Sequence, residues 1–202
     1  MILPAFRRNT HGSSIDALYG MIVAQARAPA LYSAYGAPDT MQGRFDLIVL
    51  HLVVVLRRLA RDNGVQRSYG AVNGRGLGQG LFDAFCRDLD ANLREMGTGD
   101  LTVPKKMRSF GEAFYGRQAA YGAALAAGDQ RELETALARN IFAVTGADPR
   151  AARLARYVRA VVERLDSQQE ADLRAGAIVF PDPAALAENP MPNPNDGHAR
   201  AS

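Results

Sequence analysis

One stretch of this chain decides its architecture. Residues 47 to 56 read LIVLHLVVVL, ten residues of which only His51 is polar. On a helix at about 100° per residue, Leu47, Ile48, Val49, Leu50, Leu52, Val53 and Leu56 point all round the axis, so the helix has to be buried on most sides. A membrane-spanning helix needs roughly 20 apolar residues. The run is therefore predicted as the middle of a central core helix, beginning near Asp39 or Thr40 just after Pro38 and stopping at about Asp62, before Asn63-Gly64.

A central helix needs helices around it, and the periodicity supplies them. After Ser13 or Ser14, either able to cap a helix, Ile15, Leu18, Tyr19, Ile22 and Ala26 form one stripe that ends before Pro29. Beyond a glycine-rich loop at residues 63–76, Leu81, Phe82, Phe85, Leu89, Leu93 and Met96 share the buried face of a third helix closed by Gly97. A fourth enters at Pro104 and ends at Gly128, with Met107, Phe110, Phe114, Tyr121 and Leu125 on its buried side. Asp129, with Glu132 three residues on, opens a fifth that runs to about Val144. Asp148-Pro149 opens the last long one, in which Leu154, Tyr157, Val158, Val161, Val162 and Leu165 keep an amphipathic spacing up to a stop at Gly176.

No stretch shows the period-two alternation of a half-buried strand, so the prediction is an all-α single helical-bundle domain of about six to seven helices. It spans residues 15–180, after an N-terminal arm at 1–14. The segment AIVF at 177–180 is apolar enough to dock back on the bundle. The Pro-rich tail at 181–202 holds five of the ten prolines and is expected to be flexible, since it has too little apolar surface to offset its ordering entropy. A single cysteine, Cys86, excludes an intrachain disulfide and a Cys-based zinc site. No secretory signal or transit peptide is apparent, which points to a cytoplasmic protein.

The net charge is +3, and +5 over residues 1–180, which permits an anionic partner without requiring one. Two of the 24 basic residues are lysines, the adjacent Lys105 and Lys106, and the other 22 are arginines. Catalytic groups are scarce. His51 sits among apolar neighbours and reads first as a structural histidine with a buried hydrogen bond, and second as a ligand or proton carrier. Asp83 and Asp90 lie near one helix face, but Arg87 and Arg94 follow each by four residues and predict two exposed ion pairs. The alternating glycines of GAVNGRGLGQG fit neither dinucleotide nor Walker spacing, and GEAFYGRQ is a near miss inside a helix. No cofactor is implied, and the reading is a protein without enzymatic activity.

One cluster stands out. Lys105, Lys106 and Arg108 crowd the first turn of the helix entering at Pro104, where the helix dipole disfavours cations by about 0.3 to 1 kcal/mol each. They either point into water or trap an acidic segment or phosphate, with Arg117, Tyr115 and Tyr121 farther along joining the surface.

The order of several short motifs resembles the ubiquinol-cytochrome c chaperone family. They are Pro-Asp-Thr before Gly-Arg-Phe-Asp at 38–46, Leu50-His51, Arg94-Glu95-Met96-Gly97 with Gly99-Asp100-Leu101, and Ala113-Phe114-Tyr115-Gly116-Arg117. The likeness covers residues 15–127 well and the later helices loosely. It implies a helical assembly factor for the cytochrome bc1 complex that binds newly made cytochrome b or other bc1 subunits. The mitochondrial members work near the ribosome with a small partner protein; a peripheral membrane contact is compatible with that role. A transferred binding surface would lie at Arg44 and Asp46 and along Lys105, Lys106, Arg108, Tyr115, Arg117 and Tyr121; local capping and pairing is the alternative for Arg44 and Asp46. The rival functions are a basic module binding ribosomal RNA or another nucleic acid, whose affinity would fall steeply with salt, and an enzyme built around a polar cavity at His51.

Overall fold

The computed structural model of the chain describes residues 10–62 and 76–188. These form helices α1 (Thr10–Ala26), α2 (Pro29–Ser33), α3 (Met41–Asp62), α4 (Leu77–Glu95), α5 (Val103–Ala127), α6 (Gln130–Ile141), α7 (Pro149–Asp166), α8 (Glu170–Arg174) and α9 (Pro183–Glu188), with no strand among the described residues. The six long helices are those the periodicity predicts, and the fold is all-α. The predicted glycine-rich loop lies almost wholly outside the described residues, as does most of the N-terminal arm.

Helix α3 is the hub and packs against α1, α4, α5, α6 and α7. Every residue from Phe45 to Leu56 is buried, as all-round apolarity requires. Its start is fixed locally. Thr40 Oγ1 accepts from Gly43 N at 3.1 Å, and Thr40 O accepts from Arg44 N at 2.9 Å. A Cβ on Gly43 would lie 2.0 Å from the Pro38 carbonyl oxygen, so glycine is what lets the chain turn there.

Several boundaries shift for identifiable reasons. Helix α1 begins at Thr10 rather than after Ser13 or Ser14, serine being only mildly unfavourable inside a helix. Asp129 caps α6 as expected, accepting from Arg131 N and Glu132 N at 2.8 and 3.1 Å. However, α6 stops at Ile141 rather than Val144, because Ala143 takes a positive φ of 54° and Val144 N turns back to Ala138 O. The last predicted helix is two: α7 ends at Asp166, and α8 follows before Gly176, which has φ 86°. Gln168 marks the break. Its amide accepts from Val179 N and donates to Val179 O, pairing with the returning chain instead of extending the helix.

That returning chain corrects the predicted tail. Ile178 is fully buried, as the docking of AIVF requires, but order continues past Pro181. Tyr35 Oη donates to Pro183 O at 3.1 Å, Gln25 Nε2 donates to Pro181 O at 2.9 Å, and Pro183 is buried against the domain. Prolines lack the N–H but keep the carbonyl, and here the carbonyls are what hold the segment. Residues 189–202 of the expected tail lie outside the described residues.

His51 anchors this strap from beneath. Its Nδ1 is 2.7 Å from Leu47 O, its Nε2 is 2.8 Å from Tyr157 Oη, and the Phe180 ring stands edge-on at 5.9 Å. A carbonyl can only accept, so Nδ1 carries the proton, Nε2 accepts from Tyr157, and Tyr157 Oη accepts from Gln25 Nε2 at 2.8 Å. Tyr157→Phe would leave His51 Nε2 and one Gln25 donor unpaired. It is expected to cost about 1 to 3 kcal/mol in urea unfolding and to speed amide exchange at residues 178–183, whereas wild-type stability would contradict this role.

Candidate functional site

The eight residues singled out from the sequence divide into two groups. Asp46, Arg117 and Tyr121 come together inside the protein. Asp46, on the first turns of α3, is 3% exposed, and its Oδ1 accepts from Gln42 Nε2 at 3.0 Å and from Arg117 Nη2 at 2.7 Å. Arg117 reaches in from α5, donates Nη1 to Ala113 O, and lies 5.7 Å from the Phe45 ring centre. Tyr121, one helical turn farther on, is fully buried. The expectation that these three line an exposed docking surface is corrected. They join α3 to α5, and Tyr121 follows the buried stripe to which its spacing assigns it.

The electrostatics of this cluster are tense. Burial pushes the Asp46 carboxyl up to about 6, outweighing the attraction of Arg117 and the hydrogen bond from Gln42. Burial and the charge of Asp46 both push the Tyr121 hydroxyl upward. Arg117 Nε, Tyr121 Oη and Asn140 Nδ2 find no hydrogen-bond partner among the described residues.

The other five residues face outward. Arg44 pairs with Asp39 at 2.7 Å with both side chains more than half exposed, which is the local pairing rather than a site shared with α5. Lys105, Lys106 and Arg108 are exposed on the first turns of α5. Lys106 Nζ reaches Thr98 Oγ1 at 3.2 Å, and Arg108 pairs with Glu112 at 3.1 Å. Thr102, the residue preceding α5, makes no side-chain cap, so no side-chain acceptor offsets the positive helix end where these cations stand. Tyr115 is 51% exposed and rests on Phe82 and Phe114, with ring centres 5.9 and 5.5 Å away. Sequence reasoning missed the α4–α5 turn beside them, where Leu101 is 98% exposed, and its placing of Met96 on the buried face of the third helix is corrected: α4 ends at Glu95 and Met96 is 47% exposed. A heptad-style stripe cannot assign a side for residues in a turn.

The remaining candidates are structural. Asp90 pairs with Arg94 as predicted, but Arg87 turns to Asp16 at 3.8 Å while Asp83 accepts from Gln79. At Gly111, in the GEAFYGRQ segment of α5, and at Gly122 beyond it, an added Cβ would meet nothing within 4 Å. Burial holds the His51 imidazole down to about 4, and both its nitrogens are engaged in hydrogen bonds, as the structural reading of this histidine expects. No group of three His, Cys, Asp or Glu side chains able to hold a metal occurs among the described residues.

Fold and surface together define an all-helical protein in which Lys105, Lys106, Arg108 and Tyr115 stand exposed along one long helix, α5. The arrangement is similar to that in the crystal structure of the Cbp3 homolog from Brucella abortus, with a TM-score of 0.75 and 37% identity, covering 91% of this chain and 98% of that one. The model of the family described as ubiquinol-cytochrome C chaperone matches residues 33–180, and the chain belongs to that family. The match takes in α6 and α7, where the resemblance in sequence is loosest. No curated protein matches.

The opposed shifts of Asp46 and His51 predict an unusual pH profile. Folded His51 resists protonation until about pH 4 while the unfolded imidazole accepts a proton near 6.5, so acidification through that window destabilises the fold. Folded Asp46 takes its proton near pH 6 and the unfolded carboxyl near 3.8, so acidification through that window is stabilising. Each contribution is on the order of 3 kcal/mol, and the two offset. Urea unfolding of the wild type is expected to be nearly flat in stability between about pH 4 and 6.5. Asp46→Asn should lose stability on acidification and His51→Gln should gain it. Parallel profiles for the two variants would refute the assignment.

Proposed function

We propose that the protein is a non-enzymatic assembly factor that binds newly made cytochrome b and supports assembly of the cytochrome bc1 complex. Membership of the ubiquinol-cytochrome C chaperone family is the observation that carries this reading. The similarity to a Cbp3 homolog over nearly its whole length supports it. The client surface is the outward face of α5, with Tyr115 as an aromatic anchor and Lys105, Lys106 and Arg108 as its cationic end; Arg44 lies apart, beside Asp39. Tyr115 suits that role because its ring is already held from below by Phe82 and Phe114, so little side-chain freedom is lost on contact.

No described helix is long and apolar enough to cross a membrane. The proposed place of work is the cytoplasmic face of the membrane that holds the client.

In a deletion strain, bc1 assembly is expected to fail and to be restored by the wild-type gene. Tagged protein should retain cytochrome b in detergent extracts. Tyr115→Ala should weaken that capture by roughly 30-fold, the effect of truncating one anchoring aromatic residue. Intact bc1 in the deletion strain, with no bc1 subunit captured, would overturn the reading.

A further inference from the structure

The α4–α5 turn exposes apolar side chains that no packing explains. Leu101 is 98% exposed and Met96 47%, on either side of Gly97 and Gly99. The turn is nevertheless built rather than loose. Thr98 N donates to Leu93 O at 3.0 Å, Thr102 N and Val103 N both donate to Gly99 O, and Lys106 Nζ ties to Thr98 Oγ1. An ordered turn that holds a leucine almost wholly in water gains nothing from that side chain within this chain.

The charges around it have one sign in excess. Residues 94–108 hold Arg94, Lys105, Lys106 and Arg108 against Glu95 and Asp100, a net charge of +2. Asp100 is taken by Arg94 at 2.6 Å, and Arg108 is taken by Glu112. Lys105 and Lys106 are the cations there that no carboxylate holds among the described residues, and they stand on the positive end of a 25-residue helix. Leucine and methionine at a tip, with lysines one turn behind, match the layering of a bilayer surface, where acyl chains lie beneath anionic headgroups. An acidic polypeptide would match the lysines but leave Leu101 in water.

We propose that this turn is a membrane-contact site. Leu101 and Met96 enter the interface of an anionic phospholipid surface, while Lys105 and Lys106 engage the phosphates. The proposal goes beyond the client reading: it shares Lys105 and Lys106 with the proposed client surface, but it concerns lipid and does not depend on which protein is the client. With two uncompensated lysines the contact is weak and salt-sensitive, suited to a protein that approaches a membrane and leaves it again.

The test is co-sedimentation of the full chain with vesicles of phosphatidylcholine alone or with phosphatidylglycerol added, without any client. Binding is expected only with phosphatidylglycerol. Lys105→Gln with Lys106→Gln should weaken it about 25-fold, about five-fold per charge. Leu101→Ser should weaken it by roughly ten-fold, as expected for losing one partly inserted leucine. All three positions are exposed, so thermal unfolding of the variants should match the wild type. No binding, equal binding to both vesicles, or binding indifferent to Leu101→Ser would each overturn the proposal. Soluble polyglutamate binding as tightly as the vesicles would also overturn it, in favour of an acidic polypeptide. Capture of cytochrome b in detergent involves no lipid surface, so failure here leaves the client reading standing, and the reverse also holds.

Discussion

A helix buried on all sides cannot leave a polar side chain without a partner, and α3 carries three such side chains. Asp46, His51 and Arg58 are all under 9% exposed, and each is answered by a different part of the chain. Asp46 takes Arg117 from α5, and His51 takes Tyr157 from α7. Arg58 donates Nε to Leu165 O and Nη2 to Gln168 O at the end of α7, both at 3.0 Å. Apolar contacts would tolerate sliding of α3 against its neighbours, but a buried charge or imidazole left unpaired costs several kcal/mol. The three polar groups therefore fix the register that the leucines and valines only fill.

Arg58 also illustrates what several of the chain's arginines do. The last carbonyls of a helix have no partner within it, and this protein meets several of them with arginines from elsewhere in the sequence. Arg153 donates to Ala34 O just past α2, Arg159 donates to Gly128 O just past α5, and Arg58 serves the end of α7. A guanidinium presents several donors in a fixed plane and can bridge two carbonyls, which an ammonium on a flexible stem does less well. Part of the positive charge seen in the composition is thus engaged in internal ties. The two lysines fall outside this scheme, on an exposed helix start.

The sequence reveals the helices because their apolar periodicity and end signals act locally. Asp129, Asp148, Gly128 and Gly176 do in the structure what their residue types predict. What it conceals are pairings that join distant residues. Nothing in the Pro-rich composition after Pro181 reveals that Gln25 and Tyr35 hold donors for proline carbonyls some 150 residues away. Of the candidate site, the exposed cationic start of α5 was legible from the dipole argument alone. Asp46 and Arg117 were misplaced because a charged residue read singly looks like surface, and only their mutual burial shows otherwise. Tyr121 was legible as core from its own stripe, and periodicity was the better guide there than side-chain polarity.

These two kinds of information also explain where a binding surface can be afforded. Helix α5 is held on its inner side by Phe110 and Phe114, which stack with Phe45 and Phe85, and by the Arg117 tie to α3. Its outer side carries none of these contacts. Helix α4 is likewise fixed through Phe82 and Phe85. The turn between the two helices therefore hangs from two rigid ends and contributes Val103 as its buried residue at the mouth of α5, while Met96 and Leu101 contribute nothing to the core. Side chains there are free of the packing demands that govern α3, so apolar and cationic residues can be kept for an external partner at little cost to the fold. A face placed elsewhere, over Asp46 or His51, would have to disturb the pairings that set the register of the whole bundle.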